Sequence, residues 1–245
     1  MPGQPIALGL MGSLSHGTYI PDHIDDVDIM GIYCPRPEDL VGLGRHEHSV
    51  WAQDELDIVA YSLGKMVGLL LKANPNVLGF LWLPEYVYTT PAFDRLLAMR
   101  DAFSSREAYH TFSGYAWSQY NKMENGVYRG YMGEKRKELV REFGYDVKNG
   151  AHLIRLLRMG NEFLRTGQLN VRRSDAAELL AIKQGGWSLA QVRQEAHRLM
   201  DDARLAVSES PLPAKPDRKR AEAFLVETQT AYLMIATGMV ELVNR

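Results

Sequence analysis

A change in apolar spacing near residue 90 is the feature that most constrains what this chain can fold into. Before it, residues 6–11, 27–33 and 56–61 are short apolar runs separated by polar, turn-forming segments, and we predict that each is a strand. Residues 63–73 then carry Leu, Met and Val at helical spacing, which predicts a helix directly after the third strand. The first part of the chain is therefore predicted to be a small unit of strands and helices.

The rest of the chain has a helical pattern. After Pro91, apolar residues recur at spacings of three and four positions, which predicts a mainly helical segment. Ser188 precedes a helix predicted over residues 189–207, because serine is a good N-terminal cap. Pro216 is predicted to open a last helix that reaches Val243, since proline is tolerated in a first helical turn.

The order of these elements predicts the fold class. Strands come first and helices follow, instead of alternating, so we predict an α+β fold and not a doubly wound sheet. The predicted domains are residues 1–90, with a mixed sheet, and residues 91–245, mainly helical. Residues 208–213, rich in Ser and Pro, are the clearest internal linker.

Composition narrows the classes of protein that fit. The 245 residues are 46% hydrophobic and 24% charged, with a net charge of −2, which excludes a disordered chain and whole-chain attraction to nucleic acid. Cys34 is the one cysteine and cannot form an internal disulfide. No apolar run approaches the roughly 20 residues that a membrane helix needs, and residues 1–4 carry no basic leader, so we expect a cytoplasmic protein without a membrane partner.

The densest chemical signal is a glycine–serine turn followed by paired acids. Gly12 and Ser13 come directly after the first predicted strand, and Asp26 and Asp28 stand two apart on the second. Residues two apart on a strand share a face, so both carboxylates would form an oxygen site for a hard divalent cation, Mg²⁺ or Mn²⁺. Gly12–Ser13 alone is better explained by an ordinary turn, whereas the acid pair costs stability unless a cation or a basic partner compensates it.

This pattern also suits a nucleoside triphosphate. A glycine–serine turn lets a backbone amide and a hydroxyl approach a phosphate closely. Two metal ions clamping an in-line displacement need a further carboxylate, and Asp57 on the third predicted strand is our candidate, with Asp54 and Glu55 as competitors.

A cationic stripe in the helical part is a second candidate for phosphate binding. Lys148, His152 and Arg155 fall at i, i+4 and i+7 of a predicted helix and so share one side of it. Lys65, just after the strand that carries Asp57, is a further candidate contact. The alternative for each is a solvated helix surface, which most charge stripes are.

A basic stretch with interleaved aromatics offers a surface for RNA. Aromatic rings can stack on bases while cations bind phosphates. Charge runs are, however, more often plain solvated surface, and interspersed glutamates lower the positive charge of this one. The residues of the stretch are Tyr128, Arg129, Tyr131, Lys135, Arg136, Lys137 and Arg141.

At Gly12, Ser13, Asp26 and Asp28 the sequence resembles the DNA polymerase β-like nucleotidyltransferase superfamily, whose signature is Gly-Ser, a short helix and an acid-x-acid pair on the next strand. More narrowly it is similar to the predicted nucleotidyltransferases associated with RNA ligases. That narrower resemblance is carried by residues 12–17, 25–31, 57–65, 73–78 and 144–157.

The resemblance implies a polymerase β-like catalytic domain that moves a nucleoside monophosphate from an NTP to an acceptor hydroxyl, with release of pyrophosphate. It does not identify the acceptor. For the branch as a whole it implies a role in RNA end repair or modification, which makes an RNA end one candidate acceptor. In this hypothesis Asp26, Asp28 and Asp57 hold the metal ions, while the remaining candidate residues bind the nucleotide. Two alternatives stay open: a catalytically silent, antitoxin-like nucleotide-binding module, and nucleotidylation of a protein or a small molecule.

Overall fold

A five-stranded mixed sheet forms the first part of the molecule. The computed structural model describes residues 2–20, 26–44, 46–53, 56–125 and 134–239. Within these ranges the strand order is β3-β4-β2-β1-β5. The strands are β1 (Gly3–Leu10), β2 (Val27–Pro35), β3 (His48–Gln53), β4 (Leu56–Ser62) and β5 (Tyr88–Thr89).

The three predicted strands are confirmed as β1, β2 and β4, and they lie side by side in the centre of the sheet. β1 pairs antiparallel with β2, and β2 pairs parallel with β4 so that Asp28 is in register with Asp57. Register partners in neighbouring strands point to the same face, so these two acids share one face of the sheet. The edge strands β3 and β5 were not predicted.

Helices make up most of the remainder, as the apolar spacing predicted. Those of the first part are α1 (Gly12–His16), α2 (Pro37–Leu40), α3 (Leu63–Leu71) and α4 (Pro75–Leu78). The later ones are α5 (Pro91–Ala98), α6 (Glu107–Asn125), α7 (Glu134–Phe143), α8 (Val147–Thr166), α9 (Ala176–Lys183), α10 (Leu189–Ser208) and α11 (Arg218–Ala236). The α+β class is therefore confirmed.

Side-chain caps explain where several helices begin. Asp146 accepts from the Asn149 amide at the start of α8, and Ser188 forms a capping box with Gln191 at the start of α10. Asp217, and not Pro216, caps α11. The prediction that this helix reaches Val243 is wrong, because a turn follows its end at Ala236.

One continuous hydrophobic core joins the sheet to the helices. Met30 and Ile32 of β2 belong to the same cluster as Leu63 of α3 and Leu153 of α8. The predicted boundary at residue 90 therefore runs through packed side chains, and the division into two domains stays a prediction.

Ion pairs lock the helices behind this core. Arg158 of α8 donates to Asp175, Glu178 of α9 and Glu195 of α10, with N–O distances of 2.6–3.0 Å. Buried or partly buried multidentate arginine pairs of this kind fix orientation more than they add stability. They hold α8 and α9 in place, and these two helices carry one wall of the cleft described below.

Candidate functional site

A cleft of about 420 Å³ lies between the β1–α1 turn, the start of β2 and the helices α6, α8 and α9. It brings together seven of the nine predicted site residues, from three separate parts of the chain. The lining residues are Gly12, Ser13, His16, Thr18, Asp26, Asp28, Gln119, Lys122, Lys148, Asn149, Ala151, His152, Arg155, Leu179 and Lys183.

The glycine of the turn is packed directly against an acid. Gly12 has φ +61°, a conformation that L side chains rarely adopt, and a Cβ added there would overlap the Asp28 carboxylate. The Met11 amide also donates to the Asp28 carbonyl over 2.8 Å, which ties the end of β1 to the start of β2. Only glycine at this position leaves the carboxylate where it is.

Ser13 presents a hydroxyl that the fold itself does not use. Its Oγ is buried and has no hydrogen-bond partner among the residues that the structure describes. Its carbonyl accepts from the Thr18 amide over 2.9 Å, so the backbone around it is held in place. A buried hydroxyl without a partner costs stability, and at a cleft wall this indicates a group that is satisfied by a ligand.

The two acids of the motif are confirmed as neighbours at one end of the cleft. Asp28 is in β2 and partly buried, whereas Asp26 lies one residue ahead of the strand and is exposed. Both line the cleft. Asp26 therefore lies beside the cleft as expected, but it precedes β2 by one residue and is not part of the strand.

The predicted cationic stripe lines the cleft from α8. Lys148, His152 and Arg155 all lie on α8 and all line the cleft. Arg155 donates to the Met159 sulfur over 3.1 Å, and in the described part of the chain no carboxylate hydrogen-bonds or pairs with it. Burial and the nearby Arg173 charge lower the pKa of Arg155 to about 10, so it remains a cation at neutral pH whose charge no acid offsets.

Several further polar residues of the cleft were not singled out from the sequence, among them Gln119, Lys122 and Lys183. Gln119 and Lys122 come from α6, and Lys183 comes from the end of α9, where it is buried and donates to the Thr18 carbonyl over 3.0 Å. Lys183 had a signal: it falls four residues after the buried Leu179 and so on an apolar side of its helix. Gln119 and Lys122 had none.

His16 of α1 lines the cleft as an uncharged ring near the cations Arg155 and Arg173. Its Nδ1 lies 2.9 Å from the Val171 carbonyl and donates to it, which leaves Nε2 without a proton in the neutral ring. Burial lowers the pKa of His16 well below its usual value, and the charges of Arg155, His152 and Arg173 lower it further, against the hydrogen bond to Val171. The ring therefore stays neutral at neutral pH.

We expect His16 to make stability depend on pH. In the unfolded chain the His16 ring is protonated near pH 6.5, whereas in the folded chain it stays neutral at this pH. The free energy of unfolding therefore falls as the pH drops below this value. His16→Gln is expected to reduce the loss measured by urea unfolding, by up to about 1.4 kcal/mol per pH unit. His110→Gln, at an exposed histidine of α6, is the control. An unchanged pH slope in His16→Gln would contradict the assignment.

Two predicted site residues are not brought into the cleft. Asp57 is exposed on β4, on the same face as Asp28, but it is not among the lining residues. Lys65 donates to Glu47 over 2.9 Å in an ion pair, away from the lining set. Within the described ranges, no group of three or more His, Cys, Asp and Glu side chains is arranged to hold a metal ion. The role of Asp57 as third carboxylate stays a prediction.

Some candidates lie outside the described residues. These are Asp54 and Glu55, the competitors of Asp57, and Tyr128, Arg129 and Tyr131 of the basic stretch. Of that stretch, Lys137 and Arg141 are described as exposed side chains of α7.

Comparison with known proteins assigns the chain to a family. Residues 7–227 match the family described as the RNA repair pathway DNA polymerase beta family, so the fold and the motif are those of a polymerase β-like nucleotidyltransferase group. The chain belongs to that family, and the resemblance noted in the sequence is confirmed.

The searches of solved structures and of curated proteins give less information about the chain than the family match does. The chain is similar to a nucleotidyltransferase-like protein from Exiguobacterium sibiricum 255-15, with 11% identity and a TM-score of 0.30, over 96% of this chain and 72% of that one. A search of curated proteins found no significant match. No described helix combines the length and the apolar character that a membrane span requires.

Proposed function

We propose that this cleft binds a nucleoside triphosphate with a divalent cation and transfers its nucleoside monophosphate to an acceptor hydroxyl, releasing pyrophosphate. The observation that carries the proposal is that Asp26 and Asp28 line the same cleft as a set of cationic side chains. The cations are Lys122, Lys148, Arg155 and Lys183, so the cleft has more positive than negative side chains. A highly charged anion that is bound with metal ions fits both sets of charges, because the metal ions pair with the carboxylates and the anion pairs with the cations.

The acid end fits a divalent metal ion. The carboxylates of Asp26 and Asp28 are the oxygen donors that Mg²⁺ or Mn²⁺ prefers. The space that Gly12 leaves free beside Asp28 keeps that carboxylate at the cleft wall. When bound, the ion neutralises phosphate charge that builds up during transfer. Asp57 is the proposed third donor, from the strand in register with Asp28.

The remaining groups bind and orient the phosphates. The unsatisfied Ser13 hydroxyl is suited to donate to a phosphate oxygen beside the acids. Arg155 brings a charge that no described carboxylate neutralises, and an arginine fork matches phosphate geometry. Rate enhancement in such a reaction comes from positioning and charge stabilisation, not from a covalent protein intermediate.

An RNA end is the proposed acceptor. The name of the family supports this choice, and Lys137 and Arg141 on α7 offer exposed cations of the kind that hold a phosphate backbone. These two residues lie in the basic stretch that is a candidate surface for RNA.

The test is pyrophosphate release from each of the four NTPs with Mg²⁺, with and without a pool of cellular RNA. The double variant Asp26→Asn/Asp28→Asn is the blank. We expect release that needs both the RNA and the intact acids. Asp94→Asn/Asp201→Asn, on α5 and α10 outside the cleft lining, is a matched control that removes the same charge and should keep the activity.

Other results point to other functions. Release without RNA would redirect the acceptor to a protein or a small molecule. NTP binding with no release under any condition would overturn the transferase and favour a regulatory, nucleotide-binding module.

A further inference from the structure

Gln119 presents an amide to the cleft that the described part of the chain does not use. The residue is only 9% exposed and lines the cleft from α6. In the described part of the chain no hydrogen bond to its amide is formed, although Asn149 and Asn161, the other buried amides, both have partners. The amide is not one of the fully buried atoms without a partner among the described residues, so it is open to the cleft and can donate to and accept from a ligand there.

The chemistry of an amide indicates which part of the ligand it meets. The phosphate chain is anionic and is matched by the lysines and by Arg155, and a neutral amide adds little to that. A glutamine side chain carries a donor and an acceptor at fixed separation, which is the pattern presented by the edge of a nucleobase. Gln119 is therefore suited to the uncharged end of a nucleotide.

Its position agrees with this division. Gln119 and Lys122 are three residues apart on α6 and share one side of that helix. The glycine–serine turn and the acids come from other elements, β1, α1 and β2. With the phosphates held between the acids and the cations of the cleft, Lys122 included, Gln119 is the uncharged side chain of α6 that is left for the base.

We propose that Gln119 hydrogen-bonds the nucleobase of the bound NTP and thereby sets which of the four NTPs is used. The inference rests on the proposed function, because it assumes that the cleft binds an NTP. It assigns the choice of base to one side chain that neither holds metal nor contacts phosphate.

The experiment measures binding of the four NTPs and of tripolyphosphate, each with Mg²⁺, to the full chain by calorimetry. Gln119→Leu removes the amide at similar side-chain size. We expect the preferred NTP to bind about tenfold more weakly to this variant, which is the scale of one lost hydrogen bond, and the differences between the four NTPs to shrink. Tripolyphosphate, which has no base, should bind as it does to the wild type.

Two controls keep the result interpretable. Gln194→Leu makes the same change at an exposed glutamine of α10 and should leave every affinity unchanged. The unfolding temperature of Gln119→Leu without ligand should not fall, because the amide that it removes has no partner in the described structure.

The inference is overturned by equal affinity of the wild type for all four NTPs, or by unchanged selectivity in Gln119→Leu. A matching loss of tripolyphosphate affinity would also overturn it, since Gln119 would then contact the phosphates. Failure of the proposed function has a separate signature, which is that the wild type binds none of the NTPs.

Discussion

Asp28→Asn is expected to reduce nucleotidyl transfer by about 10³-fold or more, with little change in stability. The substitution keeps the size of the side chain and removes the charge that would hold a metal ion beside the phosphates. Asp28 is partly buried at the cleft wall; the Met11 amide holds its backbone, and its carboxylate packs against Gly12. The measurement is single-turnover pyrophosphate release at saturating NTP and Mg²⁺.

Asp201→Asn, at an exposed acid paired with Arg204 on α10, is the matched control and should keep full activity. Asp57→Asn measured in the same way tests the proposed third carboxylate, and a similar loss is expected. Near-normal turnover in Asp28→Asn would refute the assignment of this acid to the metal.

Gly12→Ala is expected to lower transfer by about 10²-fold or more, because even a methyl group cannot be accommodated here. The added Cβ would lie 2.7 Å from the Asp28 Cγ, so the carboxylate must move away from the cleft. The positive φ of residue 12 adds backbone strain, and we expect the free energy of unfolding to fall by roughly 1–2 kcal/mol. Urea unfolding and the pyrophosphate assay measure the two effects separately.

Gly114→Ala is the control for this change. Gly114 lies within α6, and a Cβ added there meets nothing within 4 Å. Alanine at an open helical position is expected to stabilise the protein by about 0.5–1 kcal/mol and to leave transfer unchanged. If Gly12→Ala were as active as Gly114→Ala, the close packing of residue 12 against Asp28 would have no catalytic importance.

The central strands were predictable because each buries its own apolar residues. β2 and β4 carry Ile, Val and Met in runs whose burial is favourable wherever they pack. The edge strands differ: β3 has the sequence HSVWAQ and β5 has two residues, so their own pattern is weak. β3 and β5 form strands because they hydrogen-bond to the backbone of β4 and β1, and these partners are in place only once the sheet has assembled.

The same distinction separates the parts of the candidate site. Gly12, Ser13, Asp26 and Asp28 are close in sequence, and Lys148, His152 and Arg155 repeat at helical spacing, so local geometry predicted each group. The end predicted for α11 was wrong because apolar spacing continues past Ala236, whereas the helix gives way there to a turn at residues 237–239. Spacing alone does not mark such an end.

By itself the sequence determined the glycine–serine turn, the acid pair, the cationic side of α8 and the α+β class, since each follows from spacing along a few turns or one strand. Only the tertiary structure decided that Gln119, Lys122 and Lys183 join them, that His16 is buried among cations, and that Lys65 pairs with Glu47 instead. These facts depend on how α6, α8 and α9 pack around β2. Such packing is set by many weak contacts between distant parts of the chain, and no short pattern encodes it.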